Sequence, residues 1–405
     1  MGLLGEPGPA GAADAPAGIN WSGFSRWGYP DGLDRHPYHR LAGRMEELGY
    51  GAVRLPWAEN VLERWDEPIL EPGVVRHNGR WTVGRLFIAV LEELAARDFE
   101  IILDYHPQKA GGGDDQDFRG RDVPGAWRGL LAKLRRRLSK TARARIVGAD
   151  VYNEPRLDGD QAPYRAMVLA SLDAILSFPE AFPNLKGVVE PCDGAAVTWA
   201  GSDPWWLLRE LSEAGFGPDR VNLEFHYYPW WHPIQEDPWE GERFAADLGV
   251  ELGALPFADV AAVLQHRVQQ AQDWGYSVLL GEYGHQDDAW GGAVARAAEA
   301  LGIPRFRWRL LEDGEYGVVD ADAALSENGR KSPAAELEAG GAPREEEPGE
   351  GCRKGPGVAS DCRSLAEQPE EVQQSFAAAY GEEAAARWAW ERDRDLAEPG
   401  WRDRE

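Results

Sequence analysis

The stretch Glu100-Ile101-Ile102-Leu103-Asp104-Tyr105-His106 is rich in β-branched and apolar side chains and closes on polar ones. A strand with one wet face alternates polar and apolar residues. A nearly unbroken apolar run belongs instead to a strand covered on both faces, as in a parallel sheet flanked by helices. Just before it, residues 85–97 space their apolar side chains at helical period.

The same pairing of strand and helix repeats in both directions along the chain. Strands are expected at 18–24, 51–57, 100–106, 145–153, 185–190, 221–228, 277–282 and 305–311. Helical patterns fall between them at 38–48, 83–97, 126–138, 163–177, 204–214, 257–274 and 289–301. Eight such alternations make a parallel sheet, and eight is the number that closes a barrel. The alternative is an open doubly wound sheet, which would carry a Gly-rich phosphate loop after its first strand. Gly18-Ile19-Asn20-Trp21-Ser22-Gly23 lacks that spacing. The expected fold class is therefore α/β, a (β/α)8 TIM barrel spanning residues 18–340.

The flanks read differently. Residues 1–17 are rich in Gly, Ala and Pro and are expected to be a flexible segment. Residues 341–361 are rich in Gly, Pro and charge, the composition of a linker. Beyond them, 369–396 is expected to form a helix or two, with Phe376, Tyr380, Trp388 and Trp390 as apolar anchors. Residues 341–405 thus read as a linker and a short acidic helical tail.

Composition bounds the function. The formal net charge of −26 repels nucleic acid and anionic membrane, so neither is an expected partner, and it suits a neutral substrate. No stretch approaches the length of a membrane span. The 18 Trp are an excess, and flat indole faces suit the C–H faces of sugar rings. The three cysteines, Cys192, Cys352 and Cys362, have no metal-site spacing. Cys352 and Cys362 are able to pair in an oxidising compartment, and Cys192 reads as a buried thiol. The N-terminus carries no basic segment followed by an apolar run, so no export signal is expected.

In a (β/α)8 barrel, polar residues at the C-terminal ends of the strands converge on one site. Here Arg54 lies in the second strand, and the third ends at Asp104-Tyr105-His106. The fourth ends at Tyr152-Asn153-Glu154-Pro155, the sixth at His226-Tyr227-Tyr228, the seventh at Gly281-Glu282-Tyr283, and the eighth carries Trp308. Two strand-end glutamates suit cleavage of a glycosidic bond. The leaving oxygen is a poor leaving group and needs an acid, while the anomeric carbon gains positive charge and needs a carboxylate. Strands four and seven face each other across a barrel mouth, so Glu154 and Glu282 are expected to meet.

With Gly18-Ile19-Asn20-Trp21 and Val53-Arg54-Leu55-Pro56 before them, these motifs resemble glycoside hydrolase family 5, the cellulase-containing family of clan A, over roughly 18–340. The resemblance implies a retaining hydrolase with Glu154 as acid/base and Glu282 as nucleophile. It implies that Arg54 keeps Glu282 ionised, that Tyr228 holds its rotamer, and that Asn153 bonds the sugar 2-hydroxyl. It also implies that His106 and His226 bind the sugar or tune the carboxylates, and that Trp308 forms the floor beneath it. Metal binding by His106, His226 and Glu282 fits no compact motif, and no metal or cofactor is expected.

Further aromatic residues that follow strands are expected to line a glycan cleft: Trp27, Trp199, Trp230 and Trp231. After Trp308 the chain departs from many cellulases, with Arg309 and Leu310 in place of a second Trp and an Asn. The first expectation is a monomeric endo-β-1,4-glucanase acting on a polysaccharide or oligosaccharide. The alternatives are an exo-β-glycosidase, and a β-mannanase or β-1,3-glucanase of the same fold. A non-catalytic glycan-binding barrel is the rival of another class, and it would be expected to lack at least one of the two glutamates. The resemblance implies an extracellular protein, whereas the N-terminus as written carries no signal for export.

Overall fold

The computed structural model describes residues 17–109, 114–156, 161–191, 207–228, 264–265, 268–269, 271–284, 288–311 and 318. The chain divides into two compact units, Met1–Ala342 and Pro343–Glu405. The linker and tail expected over 341–405 lie outside the described residues, as do the N-terminal segment before Ala17 and all three cysteines.

The eight strands are β1 (Ala17–Asn20), β2 (Ala52–Trp57), β3 (Glu100–Tyr105), β4 (Ile146–Asp150), β5 (Lys186–Val189), β6 (Val221–Tyr227), β7 (Val278–Tyr283) and β8 (Arg305–Arg307). All neighbours pair in parallel, and β8 pairs with β1, so the sheet is a closed barrel. The described helices are α1 (Phe24–Trp27), α2 (Tyr38–Glu47), α3 (Glu59–Glu63), α4 (Pro72–Asn78), α5 (Val83–Ala96), α6 (Val123–Arg137), α7 (Lys140–Arg145), α8 (Ala162–Ile175), α9 (Leu208–Glu213) and α10 (Asp288–Ala300). Among the described residues, no helix is long and apolar enough to cross a membrane.

Helix α5 shows how the outer layer forms. Thr82 accepts a hydrogen bond from the Arg85 backbone N–H at 3.3 Å and so caps the helix start. Leu86, Phe87, Val90, Leu91 and Leu94 recur at intervals of three and four and are all buried. Each such side chain contributes about 1.5–3 kcal/mol by leaving water. Helix α6 begins earlier than its apolar spacing predicts, because Asp122 caps it by accepting from Gly125 N at 2.9 Å and a proline fills the first turn.

The first and last strands are shorter than expected. Strand β1 stops at Asn20, and the chain turns at Gly23, whose φ of +119° is open to glycine alone. Strand β8 stops at Arg307, and the Trp308–Arg309 peptide bond is cis.

Inside the barrel the lowest layer is apolar and consists of Ala52, Ile102, Val147, Val188, Leu279 and Phe306. Phe306 fills so much of this space that a Cβ on Gly18 would stand 2.3 Å from its ring. Above this floor the interior becomes polar, and that change of character creates the site.

Candidate active site

Period-two alternation carries each strand from the apolar floor to polar side chains above it. On β2 Ala52 is followed by Arg54, and on β3 Ile102 is followed by Asp104 and then His106. Strand β5 brings Glu190 just beyond Val188, and β6 brings Glu224, His226 and then Tyr228. The polar layer is thus held by strands, which position side chains more rigidly than loops do.

Arg54 stands at the centre, with no exposed surface. Its Nη1 lies 2.9 Å from Asp104 Oδ2 and donates to Glu282 Oε1 at 2.8 Å. Its Nη2 donates to Asp150 Oδ2 at 2.6 Å, Asn153 Oδ1 at 3.0 Å and Glu190 Oε1 at 3.2 Å. Its Nε lies 3.0 Å from Glu224 Oε1. Burial opposes the charge, but Asp104, Glu224, Asp150 and Glu282 outweigh it and hold the guanidinium pKa well above its ordinary value. One cation cannot neutralise five carboxyl groups, so several of them keep protons. Burial, with the neighbouring carboxylates, pushes Glu190 and Glu224 well above the usual range. It raises Asp150 to about 7 against the pull of Arg54.

Glu282 reaches this centre through an irregularity. Between β6 and β7 the register shifts, so Phe225 pairs with Leu280 and His226 with Glu282. The extra residue is Gly281, and the bulge turns Glu282 inward as well. Glycine is required at 281, since a Cβ there would lie 1.5 Å from Glu224 Oε1. Tyr228 donates its hydroxyl to Glu282 Oε2 at 2.8 Å, the contact expected of it. Arg54 lowers the Glu282 pKa as expected, but burial is the larger effect and leaves it raised, at about 7.

Glu154 follows β4 with φ at +46°, the left-handed region that costs a non-glycine residue about 1–3 kcal/mol. Its backbone N–H donates to Glu190 Oε2 at 2.6 Å, which secures that conformation. Its Oε2 accepts from Gln116 Nε2 at 2.9 Å, and its Oε1 lies 2.9 Å from His226 Nδ1. Burial first, then Glu282 and Asp114, push its pKa well above the carboxylate range. His226 has no exposed surface, and its pKa is lowered well below the ordinary value by burial, Arg54 and His106, so its ring is neutral.

His106 is the opposite case. Its Nδ1 lies 2.8 Å from Asp104 Oδ2 and its Nε2 lies 2.9 Å from Asp114 Oδ1. Burial opposes protonation, but Asp114 and Asp104 outweigh it, and the pKa rises well above normal. Asp114 is pulled down to about 2, since His106 and Gln108 outweigh its burial. The ring planes of His106 and Trp308 stack at 11° with centroids 5.7 Å apart. From these two side chains a groove of about 390 Å³ runs along the loop after β1, past Ser22, Asp31 and Arg309 to Trp27. Trp27 is 42% exposed on this groove, with the Arg26 guanidinium 4.3 Å above its ring.

The structure therefore brings together Arg54, His106, Asn153, Glu154, His226, Tyr228 and Glu282, with Trp308 beside them and Trp27 farther along the groove. Trp199, Trp230 and Trp231 lie outside the described residues. Sequence reasoning quoted Asn20 and Asp104 within motifs without giving them a role, and left out Gln116, Asp150, Glu190 and Glu224. Asn20 accepts from Arg54 at 3.2 Å and donates to the Gly281 carbonyl at 2.9 Å, tying β1 to β7. Strand parity was the available signal, because Asp104 and Glu224 sit two residues before His106 and His226 on the same face. Three trios, Asp104–His106–Glu282, Glu154–His226–Glu282 and Glu190–Glu224–His226, bring one ligand atom each within 4.8 Å of one another. Most of those atoms already bond Arg54, Tyr228, Gln116, Asp114 or each other, so none of the trios is assigned to a metal.

No protein-family model matches the chain. Among solved structures it is similar to the catalytic domain of the major endoglucanase from Xanthomonas campestris pv. campestris, with TM-score 0.60 and 20% identity over 79% of this chain and 93% of that one. It is similar to an endocellulase from Pyrococcus horikoshii in complex with cellotetraose, with TM-score 0.56 and 17% identity over 79% and 90%. A mannanase catalytic domain from a Streptomyces species matches with TM-score 0.50 and 15% identity over 79% and 84%. At these identities the likeness shows the fold: a TIM barrel shared with cellulases and a mannanase.

Proposed function

We propose that the protein is a retaining glycoside hydrolase that cleaves β-linked glycans, with an endo-β-1,4-glucanase activity first among the candidates. The observation that carries this reading is the approach of Glu154 and Glu282, which have carboxyl oxygens within 4.8 Å of each other. Retaining enzymes place their two carboxyl groups about 5–5.5 Å apart, whereas inverting enzymes leave about 6.5–9.5 Å for a water. The two environments differ in the sense the chemistry needs. Glu282 has Arg54 and a tyrosine hydroxyl to stabilise its anion, and Glu154 sits where burial and neighbouring carboxylates keep its proton on.

In this reading Glu154 protonates the glycosidic oxygen as the bond to the anomeric carbon breaks, and Glu282 forms a bond to that carbon. Water then attacks the carbon, its proton passes to Glu154, and Glu282 leaves. Trp308 offers an apolar face beside the reacting centre, and Trp27 extends it along the groove. The cellulase and mannanase folds noted above support a β-glucan or β-mannan substrate over other classes.

The test is release of reducing sugar from carboxymethyl cellulose, barley β-glucan, glucomannan, xyloglucan and laminarin, with Glu154→Ala and Glu282→Ala run alongside. Activity on one polymer is expected, and either substitution is expected to abolish it. A folded protein silent on all five and on aryl glycosides would overturn the reading in favour of a glycan-binding barrel. The anomeric configuration of the first product, read by proton NMR, is expected to match that of the substrate.

A further inference from the structure

His226 is enclosed by groups from six directions: Glu224 on its own strand, Glu154 after β4, Glu190 after β5, Glu282 on β7, Arg54 on β2 and His106 after β3. Its ring is neutral, so one nitrogen carries a hydrogen and the other a lone pair. The contacts decide which. Nε2 lies 3.3 Å from Glu224 Oε1 and 3.5 Å from Glu190 Oε1. Both of these oxygens also face Arg54, at 3.0 Å from Nε and 3.2 Å from Nη2. A guanidinium has donors and no acceptor, so it draws lone pairs toward itself and disfavours a proton on the same oxygen. Glu224 Oε1 therefore meets Nε2 as an acceptor, and a proton on Glu224 is left to Oε2, which has no hydrogen-bond partner among the described residues. Nδ1 also faces two oxygens, Glu154 Oε1 at 2.9 Å and Glu282 Oε2 at 3.6 Å. The oxygens that face Nε2, however, are the two drawn to the Arg54 Nε and Nη2 side, whereas Glu154 Oε1 is bonded to no cation; Nε2 is therefore the N–H.

We infer that Glu224 and Glu190 are positioning residues: they lock His226 as the Nε2–H tautomer, and its bare Nδ1 in turn obliges Glu154 to hold its proton on Oε1. Nδ1 lies 2.9 Å from Glu154 Oε1, so one of the two atoms must donate. With a lone pair on Nδ1, the donor is the Glu154 carboxyl. The other Glu154 oxygen already accepts from Gln116, which leaves the proton on Oε1. The acid form of Glu154 is thus selected from beneath, by carboxyl groups that touch neither it nor a substrate through these oxygens.

This bears on both chemical steps and rests on the glycosidase reading. For the first step the Oε1 hydroxyl must swing from Nδ1 to the leaving oxygen, and once its proton has passed there the new carboxylate faces the Nδ1 lone pair. That repulsion is relieved when water gives up a proton to Glu154 in the second step. The Nε2–H stays in place throughout, so Glu190, Glu224 and His226 neither take up nor release a proton during the reaction.

The full-length protein, labelled with nitrogen-15 histidine, tests the inference without substrate. Long-range proton–nitrogen NMR separates the two neutral tautomers and the imidazolium, and the His226 signals among the eight histidines are the set that vanishes in His226→Gln. The expected result is an Nε2–H neutral ring between pH 5 and 8. An Nδ1–H ring or an imidazolium overturns the inference. Since no glycan is present, this outcome is separate from that of the glycan panel. Glu224→Leu is expected to mix the tautomers and to move the basic limb of the kcat/KM profile down by about one pH unit, a tenfold change in proton affinity. Glu224→Gln is expected to restore both, because its amide oxygen takes over against Arg54. A Glu224→Leu protein that loses rate with an unmoved basic limb would assign Glu224 a purely structural part and refute the inference.

Discussion

Replacing Arg54 with methionine is expected to destabilise the fold by an amount that grows with pH. Arg54 lies within 3.2 Å of oxygens from Asp104, Asp150, Glu190, Glu224 and Glu282, all of them buried. Methionine preserves most of the volume and removes the charge. Breaking a buried ion pair by deleting one partner costs about 3–5 kcal/mol, because the other charge is left uncompensated. The carboxylates around position 54 escape part of that cost by taking up protons. If the native variant binds one more proton than wild type, its stability relative to wild type falls by about 1.4 kcal/mol per pH unit. A loss of about 4 kcal/mol at pH 7 therefore shrinks to about 1–2 kcal/mol at pH 5. Urea unfolding of both proteins at the two pH values measures this. Arg97→Met is the control, since its pairs with Glu46 and Glu93 are partly exposed and worth about 0–1 kcal/mol at either pH. An equal loss at pH 5 and 7 for Arg54→Met would refute the account of the site as a proton-bearing cluster around Arg54.

Further outcomes follow from the same geometry. Wild-type stability is expected to fall as pH rises through about 7, read from urea midpoints. The folded pKa of Asp150 is raised to about 7, so its contribution is complete below the unfolded carboxylate value of about 4 and is lost through the folded one. Asp114, held at about 2, acts in the opposite sense: its stabilisation is present above the unfolded value and disappears only as pH falls through 2. Activity is expected to rise with pH through about 7 as Glu282 ionises, and a kcat/KM profile with its acid limb near 4 would contradict this. Tyr228→Phe removes one hydrogen bond to the Glu282 carboxylate and is expected to lower kcat about 10- to 100-fold with little change in melting temperature. Gly281→Ala drives a Cβ into Glu224 and is expected to cost about 1–3 kcal/mol or more in thermal unfolding; an unchanged melting temperature would argue against the bulge at that position.

Much of the site was legible because barrel strands announce themselves. The apolar run of β3 and the motifs around Glu154 and Glu282 carry the barrel and its mouth, and Arg54, His106, His226 and Tyr228 follow as strand-end polar residues. What escaped notice was the layer below. Asp150 and Glu224 lie within strands and Glu190 just past one, where a lone acidic residue reads as a routine structural charge. Gln116 escaped for another reason: it belongs to a loop, and only folding carries it to within 2.9 Å of Glu154. The aromatic residues divide similarly. Trp308 and Trp27 reach the groove, while the remaining platform candidates fall outside the described residues.

The sequence by itself determined the eight strands and the kinds of side chain that crown them, because local periodicity and strand-end polarity are written in neighbouring residues. Tertiary structure alone decided how those side chains share charge and protons. Whether Glu282 points inward depends on a one-residue register shift against β6, a fact of pairing between strands more than fifty residues apart. Whether Glu154 is an acid depends on burial and on which nitrogen of His226 bears a hydrogen. Those in turn depend on one arginine meeting five carboxyl groups from different strands. Proton affinity is set by distance and dielectric in three dimensions, and no spacing along the chain encodes either.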